Sequence, residues 1–327
     1  MISVVMPAYN AAAFLAEAIE SILQQTLRDF ELIIVDDGST DATLNIIESY
    51  AKSDPRIRVI HNPHGGVSSA LNAGLHAARY DWVAVMHSDD VALPQRLQRQ
   101  WEATKTDPSV VIWGTDGYHL SANGERIGHF RVGPTTVAEC EALRKAGETV
   151  QAIHPTVLLK RDVALQAGGY DSNFDGSEDI EIFDRILKYG PLVTITEPLL
   201  NYRIHNSSLS MKKHHSQKEN ARYIQARQRQ RMATGHELTI EEYRASYAHQ
   251  PLLVRIIDQR NSLVSLYYRR AGNAYGMRQA PQGLYFLTIA ALLNPSYVIR
   301  RAWKQVIAPK LRRADSQPQA FTGTGDI

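Results

Sequence analysis

The chain has 327 residues, 44% hydrophobic and 21% charged, with 20 Gly, 14 Pro and a formal net charge of +2. That length and composition exclude a peptide, a disordered tail protein and a fibrous repeat, leaving one large or two ordinary globular units. A single cysteine, Cys140, set in a polar stretch, excludes an intrachain disulfide scaffold and a cysteine-built zinc site, so the reducing cytoplasm is the expected compartment. The small net charge conceals a gradient: residues 1–200 carry 16 Lys and Arg against 27 Asp and Glu, while residues 201–327 carry 20 against 7. A basic rear half predicts contact with an anionic surface, phospholipid or nucleic acid, unless it is simply a solvated face.

Met1–Pro7 lacks the basic start and long apolar segment of a secretion signal and is expected to be a first strand. Further strands are expected at Glu31–Val35, Ile57–Ile60 and Trp82–Met86, each followed by a polar turn and an amphipathic stretch. Ala11–Leu23 gathers Phe14, Leu15, Ala18, Ile19 and Ile22 on one helical face, and Ala42–Tyr50 follows a Ser39/Thr40 start signal. This βα alternation predicts a mostly parallel, doubly wound sheet. After Pro94 the expected elements are a helix at Leu97–Thr106, a strand at Val110–Gly114, a hairpin around Asn123-Gly124 and a helix at Thr136–Ala146. Then follow a strand at Thr156–Leu159, helices from Arg161 and over Glu178–Tyr189, and two strands, Leu192–Ile195 and Leu199–Arg203. From about Ser210 the chain is helical and basic, His214-His215 is expected to be solvated, and the tail from Ala314 lacks the apolar content to fold. Gln279–Ile299 is uncharged but too polar and proline-broken to span a membrane.

In a sheet of this kind ligands sit beyond the carboxyl ends of the strands, here Ala8–Asn10, Asp36–Asp41, Asn62–Ser68 and His87–Ala92. No G-x-G-x-x-G and no Walker loop is present, so the usual glycine cradles for phosphate are missing. The loops carry carboxylates instead. Asp37, Asp89 and Asp90 would repel a diphosphate unless a hard divalent cation, Mg²⁺ or Mn²⁺, stood between them.

V-V-M-P-A-Y-N at 4–10, L-I-I-V-D-D-G-S-T-D at 32–41, G-G-V-S-S-A-L-N-A-G-L at 65–75, H-S-D-D at 87–90, G-G-Y-D at 168–171, S-E-D at 177–179 and Y-R-I-H-N-S-S-L-S at 202–210 stand in order. Together they resemble glycosyltransferase family 2, the inverting nucleotide-sugar transferases with the type-A glycosyltransferase fold. The resemblance implies that Pro7, Ala8, Tyr9, Asp36 and Asp37 line the nucleobase slot, with Asp37 accepting from the base ring N–H, which favours uracil. It assigns Asp89 and Asp90 to metal and ribose, His205 to the metal, Arg203 to the diphosphate and Asp179 to general base catalysis. His87 stands where the usual pattern has a leading Asp, and would donate to a ribose hydroxyl or bind the metal. Leu71 replaces a common Arg.

Plainer structural roles compete at three of these places. Asp36–Ser39 fits a tight turn capping a helix, Asp89 and Asp90 fit caps for the helix after Pro94, and Glu178 and Asp179 suit a helix N-terminus. The expected organisation is a catalytic domain over 1–210, with a nucleotide half to 93 and an acceptor half from 94, a basic helical extension over 211–313, and a disordered tail. The expected activity is transfer of a sugar from a UDP-sugar to a hydroxyl of a saccharide or lipid-linked glycan, in cell-surface polysaccharide assembly. Peripheral contact with the inner face of the membrane accompanies it, and no nucleic-acid module is recognisable. A nucleotide-sugar-binding protein that has lost turnover is the alternative.

Overall fold

A computed structural model describes residues 1–121, 124–205, 211 and 213–303. The chain divides into two compact units, Met1–His249 and Gln250–Ile327. In the first, β1 (Ile2–Ala8), α1 (Leu15–Leu23), β2 (Phe30–Asp36), α2 (Thr43–Ser53), β3 (Ile57–His61), α3 (Val67–Ala77) and β4 (Trp82–Val85) form the expected alternation. β1 pairs in parallel with both β2 and β4, and β2 with β3.

The strand residues show why the sheet is wound on both sides. Val5, Ile33 and Val35 face a core with Leu71 and Leu75 of α3, while Val4, Met6, Leu32 and Ile34 face the opposite core with Leu15, Ile19 and Ile22 of α1. Alternate residues of one strand thus feed two cores, each buried Leu or Ile contributing about 1.5–3 kcal/mol. Gly74 lets α3 approach β1, since a Cβ there would collide with the Val5 side chain. Leu71, only 1% exposed, is a packing residue.

The remainder of the unit is β5 (Val91–Ala92), α4 (Arg96–Ala103), β6 (Ile112–Ser121), β7 (Arg126–Phe130), α5 (Val137–Lys145), β8 (Leu158–Lys160), α6 (Arg161–Gln166), α7 (Glu178–Ile186), β9 (Leu192–Ile204), α8 (His214–Thr234) and α9 (Ile240–Ala248). The sheet order is β3-β2-β1-β4-β8-β6-β9-β5, with β7 antiparallel on β6. The sheet is therefore mixed: β8 runs antiparallel to β4 and β6, and β5 antiparallel to β9.

Several details differ from the expectations above. The two strands expected near 192–203 are one strand, β9, whose register on β6 slips so that Asp116 opposes Pro198. The irregularity carries a residue without an N–H through the ladder. Asp41, rather than Ser39 or Thr40, turns the chain into α2, its Oδ1 accepting from the Thr43 N–H at 2.9 Å, because Ser39 Oγ is taken by the Asn10 N–H. Cys140 is buried under β9, its sulfur 3.4 Å from the Leu192 N–H, and burial pushes the thiol up. His214 is buried too, against expectation, while His215 is exposed. The β6–β7 hairpin forms as expected, although Asn123 lies outside the described residues.

The second unit holds α10 (Leu252–Gly276), α11 (Ala280–Leu293) and α12 (Pro295–Ala302). Pro281 and Pro295 occupy helix-start positions and Asn294 Oδ1 caps α12 through the Tyr297 N–H, so the uncharged stretch is broken. Among the described residues no helix is long and apolar enough to cross a membrane. Lys304 onward, including the end of the basic extension expected to run to 313 and the tail from Ala314, lies outside the described residues.

Candidate active site

The carboxyl ends of β1, β2 and β4 bring together the loops that the sequence singles out. Pro7 and Ala8 close β1 beside Val35 and Asp36. Tyr9 follows, 47% exposed, its ring 4.3 Å from that of His64. Asp37 is buried, and its carboxylate ties down the next loop: Oδ1 accepts from Asn62 Nδ2 and the Gly65 N–H, and Oδ2 accepts from the Gly66 N–H at 2.9 Å. A carboxylate has about four acceptor positions, of which these contacts use three, and His64 Nδ1 stands 3.5 Å from Oδ2. Gly66 adopts φ +88°, and a Cβ there would collide with the Asp175 carboxylate. Asp175 in turn accepts from the Ser68 N–H at the start of α3. Asp36, also buried, lies 3.4 Å from the Ser39 N–H through either oxygen.

The loop after β4 carries His87, Asp89 and Asp90. Neither acid caps α4, which has no side-chain cap. Asp90 Oδ1 accepts from the Arg203 N–H at 2.8 Å, while Asp90 Oδ2 is buried without a hydrogen-bond partner among the described residues. Burial and the neighbouring Asp89 charge raise the Asp90 carboxyl well above its ordinary range, against the pull of Arg203 and Arg96. Asp89 behaves oppositely: burial raises it, but His205, whose Nε2 is 2.8 Å from Asp89 Oδ2, together with the other nearby imidazole, brings it below the usual value. His87, Asp89 and Asp90 each offer a ligand atom within 4.8 Å of the others. Mixed nitrogen and carboxylate donors around an unpaired buried oxygen fit a divalent cation.

His205 stands outside that trio, hydrogen-bonded to Asp89 and beside the Phe14 ring. Arg203 is 3% exposed in its side chain, with Nε on the Asp89 carbonyl, Nη2 on Glu17 and the guanidinium 4.6 Å from the Phe14 ring. It holds the acidic loop in place from behind. Beneath the loop, Arg96 is fully buried and donates to the Val85 carbonyl at 2.7 Å, and burial lowers it to about 9 against the opposing charge of Asp90.

Asp179 sits in the first turn of α7. Its Oδ1 accepts from the Ile180 N–H, and its other oxygen has no partner among the described residues. Burial pushes Asp179 up to about 6, and burial together with the Asp179 charge pushes Glu178 up to about 8. Ser177 supplies no side-chain cap.

Sequence reasoning missed the link between α7 and the acidic loop. His154 Nδ1 lies 3.2 Å from His87 Nε2 and 3.9 Å from Glu178 Oε1, and His154 Nε2 lies 3.1 Å from the Tyr170 hydroxyl. Burial and the adjacent His87 keep His154 well below its usual value, and burial lowers His87 as well. His87, Tyr170 and Glu178 each stand in a motif, but no motif includes His154, which joins them. Residues 206–210 of the last motif lie outside the described residues.

A parallel βα half that ends in a carboxylate cluster, continued by a mixed half whose last strand returns to that cluster, defines the type-A glycosyltransferase fold. The family model for glycosyl transferase family 2 matches residues 3–161, and the chain belongs to that family. It is 34% identical over 219 residues to the O-antigen biosynthesis glycosyltransferase WbnJ of Escherichia coli, covering 64% of this chain and 81% of that protein. Among solved structures it is similar to residues 1–349 of S. aureus TarS in complex with UDP-GlcNAc, with a TM-score of 0.59, 16% identity and coverage of 90% and 91%. The mannosyltransferase PcManGT of Pyrobaculum calidifontis, in complex with GDP-Man and Mn²⁺, gives a TM-score of 0.52 at 16% identity, covering 96% of this chain and 83% of that one.

Proposed function

We propose that the chain is a metal-dependent inverting glycosyltransferase that moves a sugar from a UDP-sugar to a hydroxyl of a saccharide or lipid-linked glycan in cell-surface polysaccharide assembly. The observation that carries this reading is the trio His87, Asp89 and Asp90 around the unpaired Asp90 Oδ2, at the strand ends where such sheets bind ligands. The name of WbnJ and the UDP-GlcNAc complex of the TarS neighbour support it, while the PcManGT complex with GDP-Man and Mn²⁺ supports a metal beside a nucleotide sugar without favouring uracil.

Asp89 and Asp90 would hold Mn²⁺ or Mg²⁺, with His87 beside them and His205 fixing Asp89. The ion, when bound, offsets the charge of the departing diphosphate. Tyr9 and His64 offer an aromatic wall for the base, Pro7, Ala8 and Asp36 complete the slot, and the remaining acceptor position of Asp37 suits the ring N–H of uracil. Arg203 acts on the diphosphate through the loop it positions. Asp179, ionised above about pH 6, takes the proton from the acceptor hydroxyl as that oxygen attacks the anomeric carbon from the face opposite the diphosphate.

Proposed with this is work at the cytoplasmic face of the membrane, where the exposed leucines and arginines of the second unit rest on anionic lipid. Calorimetric titration of UDP and GDP, with and without Mn²⁺, followed by donor hydrolysis and transfer assays, tests the reading. Metal-dependent UDP binding with turnover is expected. Binding without any turnover would favour a degenerate nucleotide-sugar binder, the alternative that His87 raises.

A further inference from the structure

His87 occupies the place where the family pattern has an aspartate, and the cluster behind it gives that exchange a purpose. We infer that His87 binds the donor's divalent ion through Nδ1, that His154 is the positioning residue that commits it to this role, and that the nitrogen donor tilts the site toward Mn²⁺ and away from Mg²⁺. The inference rests on the metal-bridged reading above.

His87 Nδ1 lies 3.8 Å from Asp90 Oδ2. That is too long for a hydrogen bond, yet shorter than two metal–ligand bonds of ~2.1 Å placed end to end. Asp90 Oδ2 is buried and has no hydrogen-bond partner among the described residues. An imidazole that ligates through Nδ1 carries its proton on Nε2, and a ligating histidine nearly always delivers that proton to a fixed acceptor. The acceptor here is His154 Nδ1, 3.2 Å from His87 Nε2. His154 then carries its own proton on Nε2, facing the Tyr170 hydroxyl at 3.1 Å. With the protons so placed, the chain Tyr170–His154–His87 leaves the His87 Nδ1 lone pair facing Asp90.

His205 is arranged differently. An ionised carboxylate only accepts, so the proton between His205 Nε2 and Asp89 Oδ2, 2.8 Å apart, belongs to His205. That nitrogen steadies a ligand instead of acting as one. Mg²⁺ favours oxygen and water ligands, whereas imidazole affinity rises along the first-row transition metals. Exchanging aspartate for histidine at this place therefore changes which ion the site prefers.

Pulsed EPR of Mn²⁺ bound to the full chain with UDP tests this directly. Imidazole ¹⁴N coupling is expected in the native protein and in His205→Asn, and its loss in His87→Asp. Calorimetry should show His87→Asp lowering the ratio of Mn²⁺ to Mg²⁺ affinity by about tenfold or more. His154→Leu should weaken Mn²⁺ binding about 10–100-fold while metal-free UDP binding holds, and His154→Gln, whose amide can accept from His87 and donate to Tyr170, should restore most of it. If His154→Leu fails to fold, the nitrogen coupling and its fate in His87→Asp decide. Mn²⁺ binding without nitrogen coupling, or coupling that survives in His87→Asp, overturns this inference and leaves the metal-bridged reading standing. No Mn²⁺ binding by the native UDP complex overturns both.

Discussion

Asn72 and Tyr170 exchange two hydrogen bonds of 2.8 Å, Asn72 Nδ2 donating to the Tyr170 carbonyl and the Tyr170 N–H donating to Asn72 Oδ1. One lies on the nucleotide-side helix α3 and the other just after α6, so a single amide side chain fastens two distant motifs. Asn72→Ala leaves both backbone groups of Tyr170 without this partner, and a half-buried donor or acceptor without one costs about 1–3 kcal/mol. The urea midpoint should fall accordingly, and an unchanged midpoint would show that the pairing contributes nothing.

Asp179 has the protonation behaviour a base at neutral pH needs, because burial places it at about 6. Asp179→Asn should reduce kcat by orders of magnitude while UDP binding stays nearly intact, since the hydrogen bond Asp179 accepts comes from the Ile180 N–H of its own helix. The native kcat/KM profile should show an acidic limb near pH 6. Near-normal turnover by Asp179→Asn rejects the assignment.

Glu178 predicts a pH dependence of stability rather than of rate. Its ordinary value is 4.5 and its folded value about 8, so between these the native state keeps a proton that the unfolded chain has lost. Stability therefore falls as pH rises through this window, and the penalty is absent below about pH 4.5. Every tenfold difference in proton affinity between the two states corresponds to about 1.4 kcal/mol, so the full effect is on the order of a few kcal/mol. Glu178→Gln should flatten the decline between pH 5 and 8 in thermal melts; an identical slope in the variant rules Glu178 out as its source.

The front of the fold was legible because each early strand is an apolar run bounded by turns, and because the carboxylates at their ends outnumber what caps and turns require. Asp89 and Asp90 show this well, since the capping role open to them is not the one they adopt. What escaped was whatever depends on partners far along the chain. Nothing local marks His154, whose neighbours His87, Tyr170 and Glu178 come from three other segments. Arg203 was placed beside the diphosphate by its motif, but its burial behind the loop is fixed by Glu17 and Phe14 of the first helical segment. Cys140 and His214 looked polar for the same reason: their burial is tertiary.

The second unit makes a prediction independent of the chemistry. Leu252 and Leu253 are each 67% exposed, Leu284 59%, Leu292 80% and Ile299 66%, and residues 250–303 hold seven arginines against a single acid, Asp258. Small residues hold the helical hairpin together, with Ala271, Ala274 and Ala290 buried, so the large apolar side chains are left outside. Exposed leucine and isoleucine among arginines is the pattern of a helix lying in a lipid headgroup layer. The protein should float with liposomes containing anionic phospholipid, bind neutral ones less, and detach as salt rises. Burying a leucine contributes about 1.5–3 kcal/mol, so the double change Leu284→Asp with Leu292→Asp should weaken flotation by roughly tenfold or more while activity on a water-soluble acceptor persists. Flotation that is absent at low salt, or indifferent to both substitutions, removes these helices from the membrane.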